Sequence, residues 1–238
     1  MVISQIISWP KELTEFRLHK SWGTDTSYQL DMPIVQSWLA THKTTLKYIK
    51  IEELQFGPPL HRALESPLGL SVAEFTSLEH LHLSRWLWGR QEGLMMAKPL
   101  DVSWARAEAE LLLLAPKLRV FEWDFTMLGR GGPRVRWTAF GANDEEWLRI
   151  FAQVAICQRD RHSLEEIRIQ FEPEDMGSGR ESEVYPWDRM DRVREEVVQL
   201  SGGLVTLTYN KPRYSREEWK EHLEGERKLE MERETQDT

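Results

Sequence analysis

One short pattern recurs along the chain: a large apolar residue, two others, an apolar residue, one other, and an apolar residue. It occurs as LTEFRL (Leu13, Phe16, Leu18), LKYIKI (Leu46, Ile49, Ile51) and LEHLHL (Leu78, Leu81, Leu83). It occurs again as LRVFEW (Leu118, Phe121, Trp123), LEEIRI (Leu164, Ile167, Ile169) and LVTLTY (Leu204, Leu207, Tyr209). The starts are 33, 32, 40, 46 and 40 residues apart. The alternation inside each unit is the period-two signature of a strand with one buried face.

Helical spacing fills the intervals. Ile34, Val35, Trp38 and Leu39 form one stripe, and Trp104, Ala107, Leu111 and Leu114 a second. Trp147, Ile150, Phe151, Val154 and Ala155 form a third, and Met190, Val193, Val197 and Leu200 a fourth. Capping-box spacing predicts helix starts at Ser71 with Glu74, Asn143 with Glu146, and Ser215 with Glu218. Pro116 and Gly202-Gly203 mark stops. Strand, loop and helix repeated about six times predict an α/β fold: an irregular leucine-rich-repeat solenoid with a parallel sheet on its concave face. A doubly wound sheet has the same alternation of elements, but its strands are apolar on both faces. Residues 1–214 are expected to form the solenoid, and residues 215–238 a capping helix with an acidic, frayed tail.

Composition narrows the function. A single cysteine, Cys157, excludes an intramolecular disulfide framework, and at the end of a helical stripe it reads as a structural thiol. No apolar run approaches the ~20 residues that span a bilayer. The start, MVISQIISWPK, lacks the features of a secretory signal, so an intracellular place, cytoplasmic or nuclear, is expected. The net charge is −8, and residues 215–238 carry half of it, with five bases against nine acids. The acidity therefore belongs partly to a solvated helix, and neither nucleic acid nor membrane is expected as a partner.

The residues resemble fungal F-box proteins with long, irregular leucine-rich repeats. The resemblance rests on APKLRVFEWDF (Ala115–Phe125), FGANDEEWLRIFAQVA (Phe140–Ala155), YPWDRMD (Tyr185–Asp191) and YNKPRYSREEW (Tyr209–Trp219). It implies the substrate-recognition half of a ubiquitin-ligase receptor. The F-box itself has no counterpart here: WPKEL (Trp9–Leu13) is followed by TEFRLHKSWGTD, which lacks the apolar helical period. A Skp-type adaptor and a cullin are implied as partners only if an F-box is supplied outside this chain. The alternative is a stand-alone repeat scaffold.

No enzyme signature is present. GRGG (Gly129–Gly132) and GSGR (Gly177–Arg180) lack the Lys and following helix of a phosphate loop, and no HExxH or GxSxG occurs. No cofactor and no metal are expected. His80 and His82 form an HxH, but with only Glu122 expected nearby they read as two solvent-facing strand histidines.

Two candidate interaction surfaces remain. One is the polar side of the strands, with one row of Glu15, Tyr48, His80, Val120, Glu166 and Thr206 and a second of Arg17, Lys50, His82, Glu122, Arg168 and Thr208. Here Glu122 and Arg168 are expected to pair across strands. The other is a rim of loops that follow the strands. It holds Trp22, Arg85, Trp86, Trp88, Arg90, Arg130, Arg134, Arg136, Trp137, Tyr185, Trp187, Arg213 and Tyr214. These are the residue types that dominate binding hot spots. The competing reading tucks the rings over the ends of the core. Trp38, Trp104 and Trp147, on helix stripes, are expected in the core.

Overall fold

A computed structural model describes residues 6–19, 32–52, 68–88, 100–125, 140–171, 185, 187–212 and 214–236. The six repeats become six strands: β1 (Glu15–Leu18), β2 (Tyr48–Ile51), β3 (His80–Ser84), β4 (Val120–Asp124), β5 (Glu166–Gln170) and β6 (Thr206–Tyr209). They lie in one sheet in chain order, each parallel to the one before it. The fold is therefore α/β with an all-parallel, six-stranded sheet. Parallel neighbours require crossovers, and the described helices of these connections pack on one face of the sheet.

That face is apolar. Phe16, Ile49, Leu81, Phe121, Ile167 and Leu207 share one line of the register, and all are buried. The initial leucines Leu46, Leu78, Leu118 and Leu164 are buried just ahead of their strands. Helices α1 (Met32–Leu39), α2 (Ala105–Glu108), α3 (Ala142–Cys157) and α4 (Trp187–Ser201) cover this layer, and α5 (Arg216–Gln236) follows β6 and buries Trp219. Gly202 and Gly203 adopt φ of 60° and 81° between α4 and β6, the left-handed region that glycine enters without a Cβ penalty.

Helix α3 buries Trp147, Phe151, Val154 and Ala155 as its stripe predicts. Helix α5 opens with the expected reciprocal cap. Ser215 N–H donates to Glu218 Oε2 at 2.7 Å, and Glu218 N–H to Ser215 Oγ at 3.2 Å. Two predicted caps fail. Residues 71–74 turn without forming a helix, and Glu74 pairs with Lys43. Helix α3 is capped two residues earlier than expected, at Gly141, whose N–H donates to Asp144 Oδ2 at 2.8 Å. Cys157 is exposed, so it fills no core position. Leu200 is also exposed, and Ser201 takes its place in the interior.

The second stripe is rotated from its predicted position. Trp104 is 39% and Leu111 65% exposed, while Ala105, Glu108, Ala109 and Leu113 are buried. Two causes combine. A 3-10 turn (Val102–Trp104) precedes α2 and a π turn (Ala109–Leu113) follows it, which shifts the helical phase. Glu108 also points inward, where its Oε2 accepts Trp88 Nε1–H at 3.1 Å and Trp147 Nε1–H at 2.8 Å. A glutamate on the buried face disguises that face as polar. Trp88, Trp123 and Trp147 pack together with ring centroids 4.5 to 5.5 Å apart.

Replacing Glu108 with Leu strands two buried indole N–H groups, a loss of about 2–4 kcal/mol at one to a few kcal/mol per unsatisfied donor. Urea unfolding checks this: the Glu108→Leu midpoint falls well below wild type, with an unchanged denaturant slope.

Candidate functional site

Alternation sends every second strand residue to the opposite, polar face. The register aligns Glu15, Tyr48, His80, Val120, Glu166 and Thr206 across all six strands, and next to them Arg17, Lys50, His82, Glu122, Arg168 and Thr208. Both rows match the sequence expectation residue for residue. A third row, Ser84, Asp124 and Gln170, was not anticipated. It lies one step beyond the repeated pattern, and extending the same alternation past Leu83, Trp123 and Ile169 locates it.

Cross-strand contacts join these rows into one network. Arg17 lies over the Tyr48 ring at 4.9 Å, and the Tyr48 and His80 rings meet edge-on at 4.8 Å. His80 Nε2 reaches Glu122 Oε2 at 3.0 Å. Glu122 also meets His82 Nδ1 at 3.2 Å, accepts Gln170 Nε2–H at 2.6 Å, and pairs with Arg168 Nη1 at 3.5 Å. Arg168 turns to Glu166 at 2.8 Å, and Thr208 Oγ1–H donates to the same carboxylate at 2.6 Å. Lys50 pairs with Glu52 at 2.8 Å. The path runs from β1 to β6 without a break.

Its centre is not solvent-facing. His82 is 2% exposed, and Ser84, Glu122 and Asp124 are buried with it. This corrects the expectation of a solvent-facing ring for His82, whose second ring nitrogen meets Asp124 Oδ2 at 3.2 Å, whereas His80 stays partly exposed. A neutral imidazole has only one N–H, so a ring held between two carboxylates favours the doubly protonated cation. Burial opposes that charge, but the bonds to Asp124 and Glu122 outweigh it and raise the His82 pKa above its ordinary 6.5. Burial likewise pushes Glu122 up, yet hydrogen bonds from His80 and His82 hold its carboxyl well below the usual range. For Glu166, the bonds from Thr208 and Arg168 overcome burial and lower its pKa. Among the described residues no cluster of three or more His, Cys, Asp or Glu is arranged to hold a metal ion. Solvent reaches the two flanks of the face, at Glu15, Arg17, Thr206 and Thr208 and in part at Arg168.

The loop rim is a different matter. Arg85–Trp88 forms a 3-10 turn that folds inward after β3. Arg85 is 1% exposed and its guanidinium binds Asp144. Trp88 is buried on Glu108, and Trp187 is buried at the start of α4. The expected exposure of Arg85, Trp88 and Trp187 is therefore corrected: they close the top of the core. Tyr185 is partly buried, its hydroxyl donates to Tyr214 O at 2.6 Å, and its ring packs on Trp187 and Trp219. Sequence could not separate an inward from an outward loop, because the partners that draw Trp88 and Arg85 in, Glu108 and Asp144, lie 20 and 59 residues away. The side chain of Trp86 and all of Trp22, Arg90, Arg130, Arg134, Arg136, Trp137 and Arg213 lie outside the described residues.

No family model, curated protein or solved structure matches the chain. Among the described residues no helix is long and apolar enough to cross a membrane.

The raised His82 pKa fixes the sign of a pH effect. Protonated in the fold more readily than in the unfolded chain, His82 contributes stability that is complete below about pH 6.5 and is lost as pH rises through its folded value. Urea midpoints measured from about pH 6 to about pH 9 should fall for wild type and fall less for His82→Gln.

Proposed function

We propose that the chain is an irregular solenoid of leucine-rich-repeat type that works as a protein-interaction module, holding its partner along the polar face of the sheet. The observation that carries this reading is the unbroken in-register ladder from β1 to β6. Each unit repeats the same placement, so side chains on the polar face stand in rows with a spacing of about 4.8 Å between strands. Repeat proteins use such extended surfaces for protein partners. Burial of His82, Glu122 and Asp124 gives this surface a rigid floor, and the side chains at its flanks are accessible to a partner.

The role in ubiquitylation follows from the resemblance to fungal F-box receptors, with the target held by the repeats and the adaptor by an F-box. A stand-alone scaffold uses the same face without an adaptor. The two differ in one observable, capture of a Skp-type adaptor and a cullin with the full gene product.

Affinity capture followed by mass spectrometry tests both levels. A specific partner should be recovered with wild type and lost from the Thr206→Arg variant, whose unfolding midpoint stays near wild type because that side chain is exposed at the end of the face. Retention of that partner by the folded variant counts against the polar face. Absence of adaptor and cullin assigns the scaffold role.

A further inference from the structure

The sheet ends on one side in β1, and among the described residues no strand lies beyond it. The ladder shows which backbone groups this leaves outward. Thr14 O accepts from Lys47 N–H at 2.8 Å and Tyr48 N–H at 3.1 Å, and Leu18 O accepts from Glu52 N–H at 3.0 Å. Residues 14, 16 and 18 therefore turn their N–H and C=O toward β2. Strand alternation turns those of Glu15 and Arg17 away from the sheet.

An outward edge of this kind is a template for another strand. We propose that a second copy of the chain supplies it, the two β1 edges pairing antiparallel about a two-fold axis at Phe16 so that both sheets become continuous. The geometry of β1 fits this occupant in three respects. An axis at Phe16 sets Glu15 opposite Arg17 of the second copy, and Arg17 opposite its Glu15. These are the two residues with outward backbone groups, so both become hydrogen-bonded pairs, in which opposed residues exchange both backbone bonds. Their side chains share the polar face, are half exposed and have opposite sign; within one copy they pair with each other, and across the axis the same two charges re-pair, so the edge is complementary to itself in charge. Charged edge residues commonly guard against pairing; here the alternation of sign turns the guard into a match for its own copy alone.

The third respect is apolar. Phe16 is the least buried member of its line across the sheet, and at the axis it meets its own counterpart. The segment entering β1 carries Trp9, 78% exposed, and Ile6, also exposed. That segment is fixed to the body: Ile7 packs against the core, and its carbonyl accepts from His42 Nε2 at 2.8 Å. A contact of each copy with the same edge of the other is isologous and closes at two. The two-fold contact itself requires no partner on the polar face.

Sedimentation velocity of the full chain over a micromolar concentration series tests the proposal, with circular dichroism to verify the fold. Wild type is expected to be a dimer. Arg17→Glu makes both cross-edge pairs repulsive and should weaken the dimer by about tenfold or more. The double swap Glu15→Arg, Arg17→Glu restores complementarity between like copies and should dimerise again. It should not exchange with wild type in a mass-tagged mixing experiment, because mixed pairs oppose like charges. A monomeric wild type, an Arg17→Glu variant as dimeric as wild type, or free exchange between the swap and wild type would each overturn the proposal.

Discussion

The structure depends on register. Each ladder pairs residues whose side chains alternate between two unlike environments, one apolar and helix-covered, the other polar. A slip of one residue at any ladder would exchange the two sets. At β3, Leu81 and Leu83 would move to the charged side and His82 would enter the core. That cost is paid for every residue of the strand at once, so six short strands of four or five residues hold an unambiguous alignment. The alternation that specifies each strand therefore also specifies its neighbour, and the cross-strand rows follow.

Buried charge specifies the other half of the molecule. Glu108 gathers the indoles of Trp88 and Trp147, and Asp144 binds Arg85 while accepting the N–H that begins α3. Both carboxylates draw in the turn after β3, one by its tryptophan and the other by its arginine. Burying such groups is costly unless their partners are in place, so these contacts contribute uniqueness of packing more than net stability. They also link α2, α3 and the β3 turn, elements that the sheet alone leaves independent. On the outer side, Glu145 is shared by Arg149 of its own helix and Arg192 of α4, the latter at 2.7 Å.

What could be read from the sequence follows from the range of the forces involved. The strands, their faces and the Glu122–Arg168 pair are set by period-two alternation within a few residues, and each was legible. The cap of α5 was legible too, since Ser215 and Glu218 are three residues apart. Trp104 was misplaced because the phase of its helix is set by a π turn and by an inward glutamate, neither of which leaves an apolar mark. Arg85 and Trp88 look like exposed anchors because loop arginines and tryptophans have the same composition whether they meet a partner or a buried acid, and Trp187 is instead packed among the rings of Phe171 and Tyr185. Asp124 escaped notice although its row is a continuation of the same alternation.

The hub at Glu122 has a consequence for how the molecule comes apart. It takes hydrogen bonds or ion pairs from β3 on one side and β5 on the other, so loosening it weakens two ladders together. Stacked units joined only to their neighbours unravel from either end, one at a time. Here the three middle strands share one buried charge cluster, so they should open as a block, with β1, β2 and β6 expected to exchange their amide hydrogens earlier. Slow exchange at the centre and graded exchange toward both ends would mark a sheet held together from its polar side as well as its apolar one.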